Sequence, residues 1–419
     1  IVFIRIFGGK FKTCIGHEKG LKMGWWIGSD KLGTEQREII AAIKKNLTQV
    51  HWVQGAAGAG KTTVLAEIAQ KLYEQYPSAS FCYLTYTHAL KGLARKSFVE
   101  EGVERIKTKF LTHTQFLKNN RACDFVFLDE VQDISTNDLL KIKKMAKHLI
   151  IAGDCDQTIY DNSPSEQEII NTLVPTQYVL KAMYRLTESL AAIAIKILPS
   201  SNIISEKPAN TLANTDVRLM QCPNQKDEFI WVVTEALARA RADKPSCIIF
   251  AHHQDITAFY HTIAEYFKIE YSGSELYEKN LYDNSPLTNP HLNYLTVNQN
   301  FKSHQVNLCY LGNGYGTLKE KKKKPMVYLM TYHSAKGLDF ENIFIPQLNN
   351  NKDIVHPFVL AKNPNLDKRL LYVAVTRSRC NLFLTYSTTS PHFLVQNLPN
   401  TKVITFQPNQ DNNEDEDFF

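Results

Sequence analysis

Gly55-Ala56-Ala57-Gly58-Ala59-Gly60-Lys61-Thr62 satisfies every fixed position of the pattern GxxxxGK[ST]. A predicted strand at 50–54 precedes it and a helical pattern at 62–76 follows, which is the setting the pattern requires. Small residues at Gly55, Gly58 and Gly60 let backbone N–H groups close around phosphate oxygens, and the helix N-terminus favours negative charge. Lys61 is placed to reach the β- and γ-phosphates and the Thr62 hydroxyl to ligate Mg²⁺, with Thr63 next in the same helical turn. A glycine-rich turn without a ligand has no need of Lys-Thr at that point.

Outward from this turn, strand patterns at 81–86, 125–128, 149–152 and 177–180 alternate with helical ones. Such alternation predicts a parallel sheet covered by helices. The strand at 125–128 delivers Asp129 and Glu130 to its C-terminal end, where parallel α/β sheets hold ligands. Asp129 is suited to hold Mg²⁺ and Glu130 to polarise an attacking water. With the phosphate turn upstream, the pair points to hydrolysis of a nucleoside triphosphate. Beyond residue 215, helices at 227–242 and 256–267 and strands at 247–251, 327–331, 342–346 and 381–386 predict a second α/β domain. The stretch 272–325 inside it is polar and ends in the basic run KEKKKK (319–324). It reads as an insertion whose charges are either solvated or turned toward a nucleic acid.

Asp129-Glu130-Val131-Gln132-Asp133 resembles the DExQD box of UvrD/Rep-like superfamily 1 (subclass A) helicases, and other stretches similar to that family's motifs follow in its order. Thr34-Glu35-Gln36-Arg37 looks like the Q motif, LTYTH (84–88) like motif Ia, and THTQF (112–116) like motif Ib. GDCDQTIY (153–160) looks like motif III, Met183-Tyr184-Arg185 like motif IV, TYHSAKGLDF (331–340) like motif V, and LYVAVTR (371–377) like motif VI. The resemblance implies two tandem RecA-like (P-loop NTPase) domains with parallel sheets, at 34–180 and 181–405, and an ATP site in the cleft between them. It implies that Gln36 reads the adenine edge, Tyr184 stacks on the base, and Gly337 and Asp339 lie near the ribose. Gln157 would sense the γ-phosphate, and Arg185 and Arg377 would stabilise its developing charge. Tyr86, Thr112, Tyr160 and His333 occupy motif positions implied to contact single-stranded nucleic acid, the aromatics by stacking.

Two departures qualify the resemblance. Asn162 stands where the family often has a tryptophan, and Asp339 where it commonly has a glutamate. The segments between Thr87 and Asp129 and between Tyr271 and Val327 are too short for the family's inserted subdomains 1B and 2B. The expectation is therefore a minimal, monomeric, cytoplasmic ATP-dependent translocase or helicase of DNA repair. It would act on single-stranded DNA in preference to RNA and move 3′ to 5′. The alternatives are a nucleotide-gated sensor or loading subunit of a nuclease, defence or repair complex, and an RNA-directed motor.

Composition agrees with this reading. Hydrophobic residues at 44% and charged residues at 21% are ordinary globular values. The net charge is +6 although five acids crowd the last nine residues, so the body of the chain leans toward polyanions. The eight cysteines show no CxxC pair or metal-ligand spacing and read as mostly reduced thiols. The opening IVFIRIFGG is short and interrupted by Arg5, and no later apolar run approaches the ~20 residues of a membrane span. Residues 1–33 read as an extension of unknown role. Residues 406–419 read as an acidic disordered tail whose terminal Phe418 and Phe419 could dock on a protein partner.

Overall fold

The computed structural model describes residues 32–86, 91, 94, 108–160, 163–201, 214–278, 291–316 and 324–407. Expectations for the extension up to residue 31, for His88 and Asn162, for residues 319–323 of the basic run and for the acidic tail from 408 lie outside the described residues.

The first unit runs α1 (Thr34–Lys45), β1 (His51–Gly55), α2 (Lys61–Gln75), β2 (Phe81–Thr85), β3 (Thr108–Thr112), α3 (His113–Asn119), β4 (Cys123–Leu128), α4 (Thr136–Met145), β5 (Ala146–Gly153), α5 (Glu166–Leu173) and β6 (Thr176–Leu180). Its strands form one sheet in the order β3-β2-β4-β5-β1-β6, with every pair parallel. Both faces are covered. Val53, Phe127 and Ile150 pack beneath α1 and α2, while Trp52, Val126 and Ile151 pack on the opposite side with Leu139 and Ile169. Gln54 lies opposite Gly153, and Leu84 opposite Leu128. That register lines up the turns after β1, β2, β4 and β5 along one edge, the edge at which α/β sheets bind ligands.

The second unit comprises α6 (Glu188–Ile197), β7 (Asp216–Gln221), α7 (Gln225–Arg239), β8 (Ser246–Phe250), α8 (His253–Tyr266), α9 (Gly273–Leu276), α10 (Tyr294–Ser303), β9 (Leu308–Tyr310), β10 (Val327–Thr331), α11 (Tyr332–Ala335), β11 (Phe340–Ile345), α12 (Pro357–Lys362), α13 (Leu366–Val375), β12 (Ser378–Tyr386) and β13 (Thr401–Thr405). Its sheet, β13-β7-β12-β11-β8-β10-β9, is again parallel throughout. Two parallel α/β sheets in tandem are the architecture expected of RecA-like domains. One apolar cluster joins the units: Ala56, Ala57 and Ile159 pack with Met183, Leu190 and Tyr372.

The polar stretch 272–325 is not wholly an insertion. Tyr294, Val297 and Phe301 are spaced to make one apolar face of α10, all three are buried, and β9 then joins the sheet edge beside β10. Asparagines around that stripe mask it in the sequence, yet Asn298 accepts from the Tyr310 backbone N–H (2.7 Å) and donates to its carbonyl (3.1 Å). Cys82, Cys123, Cys155, Cys222, Cys247 and Cys309 are free thiols as expected. Among the described residues no helix is long and apolar enough to cross a membrane.

Glu228 ties the second sheet together from inside. Fully buried on α7, its carboxylate accepts from the Gln347 backbone N–H (2.7 Å), the Gln347 side-chain amide (2.5 Å) and the Thr385 hydroxyl (2.7 Å). Burial raises its pKa, and these donors oppose that shift. Glu228→Ala strands those donors, and a urea titration should show a loss of about 3 kcal/mol, the scale of removing a buried charged hydrogen-bond partner.

Candidate active site

After β1 the chain turns through Gly58 and Gly60 at φ +85° and +87°, a region open to glycine and costly for other residues. A Cβ on Gly60 would lie 2.5 Å from Gln36 Nε2, and one on Gly58 2.9 Å from Arg185 Cβ. The glycines therefore permit both the turn and the close approach of its neighbours. Lys61 Nζ curls over the turn and donates to the carbonyls of Gly55 (2.7 Å) and Ala56 (3.0 Å). Thr62 Oγ1 donates to Asp129 Oδ2 at 2.7 Å, and Thr63 is buried in the same turn. The Tyr83 hydroxyl, which the sequence reading passed over, donates to the same Asp129 oxygen at 3.2 Å.

Asp129 and Glu130 are pushed apart electrostatically. Burial, with the Glu130 charge adding to it, lifts Asp129 to about 6. Burial opposes the charge on Glu130 as well, but Lys336 and Lys61 outweigh it and hold that carboxyl below its ordinary range. Divergent shifts in neighbouring carboxyls are how one site assigns them different tasks. Glu130 also adopts φ +59°, uncommon for a side-chain-bearing residue, and accepts from Gln132 Nε2 at 2.6 Å. Thr62 and Asp129 thus present oxygen ligands side by side at the foot of the phosphate turn, a donor set that suits Mg²⁺ completed by phosphate oxygens and water.

Gln36 and Tyr184 each bond the turn itself. Gln36 accepts from Gly33 N (3.0 Å) and donates to Ala59 O (3.4 Å). Tyr184 N donates to Gly58 O at 3.0 Å, and a Cβ on Gly33 would lie 1.9 Å from the Tyr184 hydroxyl. These contacts set the expected base-reading pair against the phosphate turn.

The two units interlock on the far side. Gln132 Oε1 accepts from Asp154 N (3.1 Å), and Gln157 Nε2 donates to Asp154 Oδ2 (2.7 Å). From the second unit, Arg377 Nη2 reaches Gln157 Oε1 at 3.3 Å while its Nε is held by Val373 O at 2.8 Å. Burial, then the charge of Arg185, pulls Arg377 down to about 10, so it stays cationic at neutral pH. Lys336 Nζ donates to both Asp133 oxygens (2.7 and 2.6 Å) and to the Gln157 carbonyl (2.6 Å). Lys336, Asp133 and Gln132 stand inside the motifs, but their importance lies in whom they touch, which linear order does not show.

Asp339, expected near the ribose, sits among arginines: its carboxylate bonds Arg185 Nη1 at 2.7 Å and lies 3.5 Å from Arg379 Nη2 and 3.9 Å from Arg377 Nη1. Cationic neighbours hold it below the ordinary carboxylate range despite its burial, Arg185 foremost among them. With one carbon less than glutamate, it sits among the guanidinia. Gly337, at φ +76°, supplies the turn that leads to it.

The expected strand-contacting aromatics come together. Tyr86 and Tyr160 have ring centroids 4.5 Å apart, Tyr160 and His333 5.7 Å, and His113, an unanticipated member, stacks on Tyr86 at 5.3 Å. Lys336 Nζ lies 5.7 Å from the Tyr160 ring centroid. Thr112 is buried at the N-terminus of α3, where its hydroxyl caps the helix, accepting from Gln115 N (3.3 Å) and meeting Thr114 Oγ1 (3.0 Å).

The family model of the UvrD-like helicase C-terminal domain matches residues 62–389. A stretch of 68 residues is 43% identical to the ATP-dependent DNA helicase Rep of Buchnera aphidicola subsp. Schizaphis graminum (strain Sg), covering 16% of this chain and 10% of that protein. The helicase nonstructural protein 10 of Arterivirus, solved with DNA, is similar at 14% identity and a TM-score of 0.42, over 83% of this chain and 62% of that one. The same helicase solved without DNA gives 14% identity and a TM-score of 0.39, over 84% of this chain and 61% of its own.

Proposed function

Because the chain belongs to the UvrD-like helicase family, we propose that it is an ATP-driven motor that moves along single-stranded DNA, 3′ to 5′. The observation that carries this reading is the meeting of phosphate turn, carboxylates and guanidinia from two RecA-like units, with Arg377 of the second reaching Gln157 of the first.

In this reading the backbone of Gly55–Gly60 and the Lys61 ammonium bind the phosphates, Lys61 exchanging its carbonyl partners for phosphate oxygens. Gln36 and Tyr184 bind adenine. Thr62 and Asp129 hold Mg²⁺, which neutralises phosphate charge when bound. Glu130, kept ionised by Lys336 and Lys61, orients the attacking water and takes its proton. Arg185 and Arg377 stabilise the γ-phosphate as charge develops, and Gln157 lies between that phosphate and Asp154. Tyr86, Tyr160 and His333 form a stacking surface for bases across the two units. Opening and closing around ATP then changes the distance between grips on the strand, which turns hydrolysis into steps.

The test is steady-state ATP hydrolysis with and without single-stranded DNA, using Glu130→Gln as the blank. Stimulation by DNA that falls by about 10²–10⁴ in the variant is expected. Turnover indifferent to DNA and RNA alike would overturn the motor and leave a partner-gated switch. Stimulation by RNA alone would reassign the substrate.

A further inference from the structure

Three guanidinia share one carboxylate at the seam between the units, and that arrangement is unbalanced. Arg185, Arg377 and Arg379 all converge on Asp339, whose side chain is only 5% exposed. Only Arg185 bonds it at close range; the other two lie at 3.5 and 3.9 Å. Asp339 Oδ1 is buried without a hydrogen-bond partner, and so are the Nε atoms of Arg185 and Arg379. One carboxylate does not match the charge of three cations, and it leaves the Nε donors of Arg185 and Arg379 unused. A phosphoryl group, with three terminal oxygens and more charge, matches such a set better.

Resting on the nucleotide-site reading above, we infer that Asp339 is an internal stand-in for the γ-phosphate. In the nucleotide-free chain it holds Arg185, Arg377 and Arg379 in place, and the γ-phosphate of ATP displaces it and takes the same three arginines. Arg379 is thereby a third γ-phosphate-binding cation. Asp339 is a positioning residue whose release is coupled to the presence of the third phosphate. ADP has no group that reaches this cluster, so it leaves Asp339 seated. The exchange moves no covalent bond, and its effect is on discrimination between tri- and diphosphate. The nucleotide whose terminal phosphate replaces Asp339 binds against that carboxylate's competition, while the other does not.

The test compares equilibrium binding of ADP and of a non-hydrolysable ATP analogue, both with Mg²⁺, to the full chain and its variants. Asp339→Asn removes the competing charge and should tighten the analogue by about tenfold relative to ADP, a shift within the usual range of coupling between ligand and switch. Asp339→Glu should keep the wild-type ratio. Arg379→Gln, at a side chain 23% exposed and so tolerant of change, should weaken the analogue relative to ADP. It provides the answer even if Asp339→Asn does not fold. Equal weakening of both nucleotides in Asp339→Asn would mean a ribose contact and overturn the stand-in. So would an unchanged ratio in Arg379→Gln. Failure of the wild type to bind either nucleotide, or binding indifferent to Lys61→Ala, would overturn the nucleotide site itself, which separates the two failures.

Discussion

Arg377→Ala should leave ADP affinity within a few-fold of wild type and slow single-turnover ATP hydrolysis by about 10³-fold or more, the scale on which an arginine acts on a transferring phosphoryl group. The guanidinium is fixed from behind, Nε on Val373 O and Nη2 on Thr376 Oγ1, before it reaches Gln157. Its direction is thus set by the end of α13 and not by the ligand, and preorganised charge is what makes such a group effective. Arg377→Lys keeps the charge but loses the Nε anchor and the planar fork, so it should recover only a small part of the rate. A folded Arg377→Ala variant that hydrolyses ATP within tenfold of wild type would remove this residue from the chemistry.

Lys336→Met should have the largest effect on stability. The ammonium is 2% exposed and Asp133 1%, and the lysine also satisfies the Gln157 carbonyl. Taking away one partner of a buried pair leaves the other charge without compensation, at a cost of about 3–5 kcal/mol. Replacing both, in Lys336→Met with Asp133→Leu, should restore most of that loss, because burying apolar groups in place of an ion pair is often neutral. The double variant still lacks the atom that touches Asp133, Gln157 and the Tyr160 ring at once. Stability should therefore return in thermal unfolding while stimulation of ATPase by single-stranded DNA does not. Recovery of both would reduce Lys336 to a structural bolt.

The phosphate turn and its carboxylates were legible because a few residue types have to stand at fixed offsets, and the inner strands β1, β2, β4 and β5 were legible because buried apolar runs mark them. The edge strands β3 and β13 were not. Thr108–Thr112 and Thr401–Thr405 are half-exposed, and Val403 is largely in solvent, so neither carries the apolar run that signals a central strand. At the site, the motifs placed Gln36, Lys61, Thr62, Asp129, Glu130, Gln157, Tyr184, Arg185 and Arg377 near one another. The bonding among them depended on long-range neighbours that linear order does not show. Asp339 illustrates the limit: its position in the motif says nothing of the three arginines, distant in sequence, that gather on its carboxylate. Thr112 carries a second role that the motif does not show, since its hydroxyl also caps a helix.

The strand order has a consequence for synthesis. β1 lies between β5 and β6, so the first sheet cannot gain its outer neighbour for β1 until residue 180 has been made, after which every strand of that sheet is present. β7 must wait far longer: its partners β12 and β13 end at residues 386 and 405. On the ribosome the amino-terminal unit is therefore complete while the opening strand of the second has neither neighbour. Contacts of such long sequence separation form slowly, and unpaired strand edges attract other chains meanwhile. Biogenesis of this protein is most exposed to misassembly through β7, a vulnerability that chaperone dependence or a slowed C-terminal translation rate would reveal.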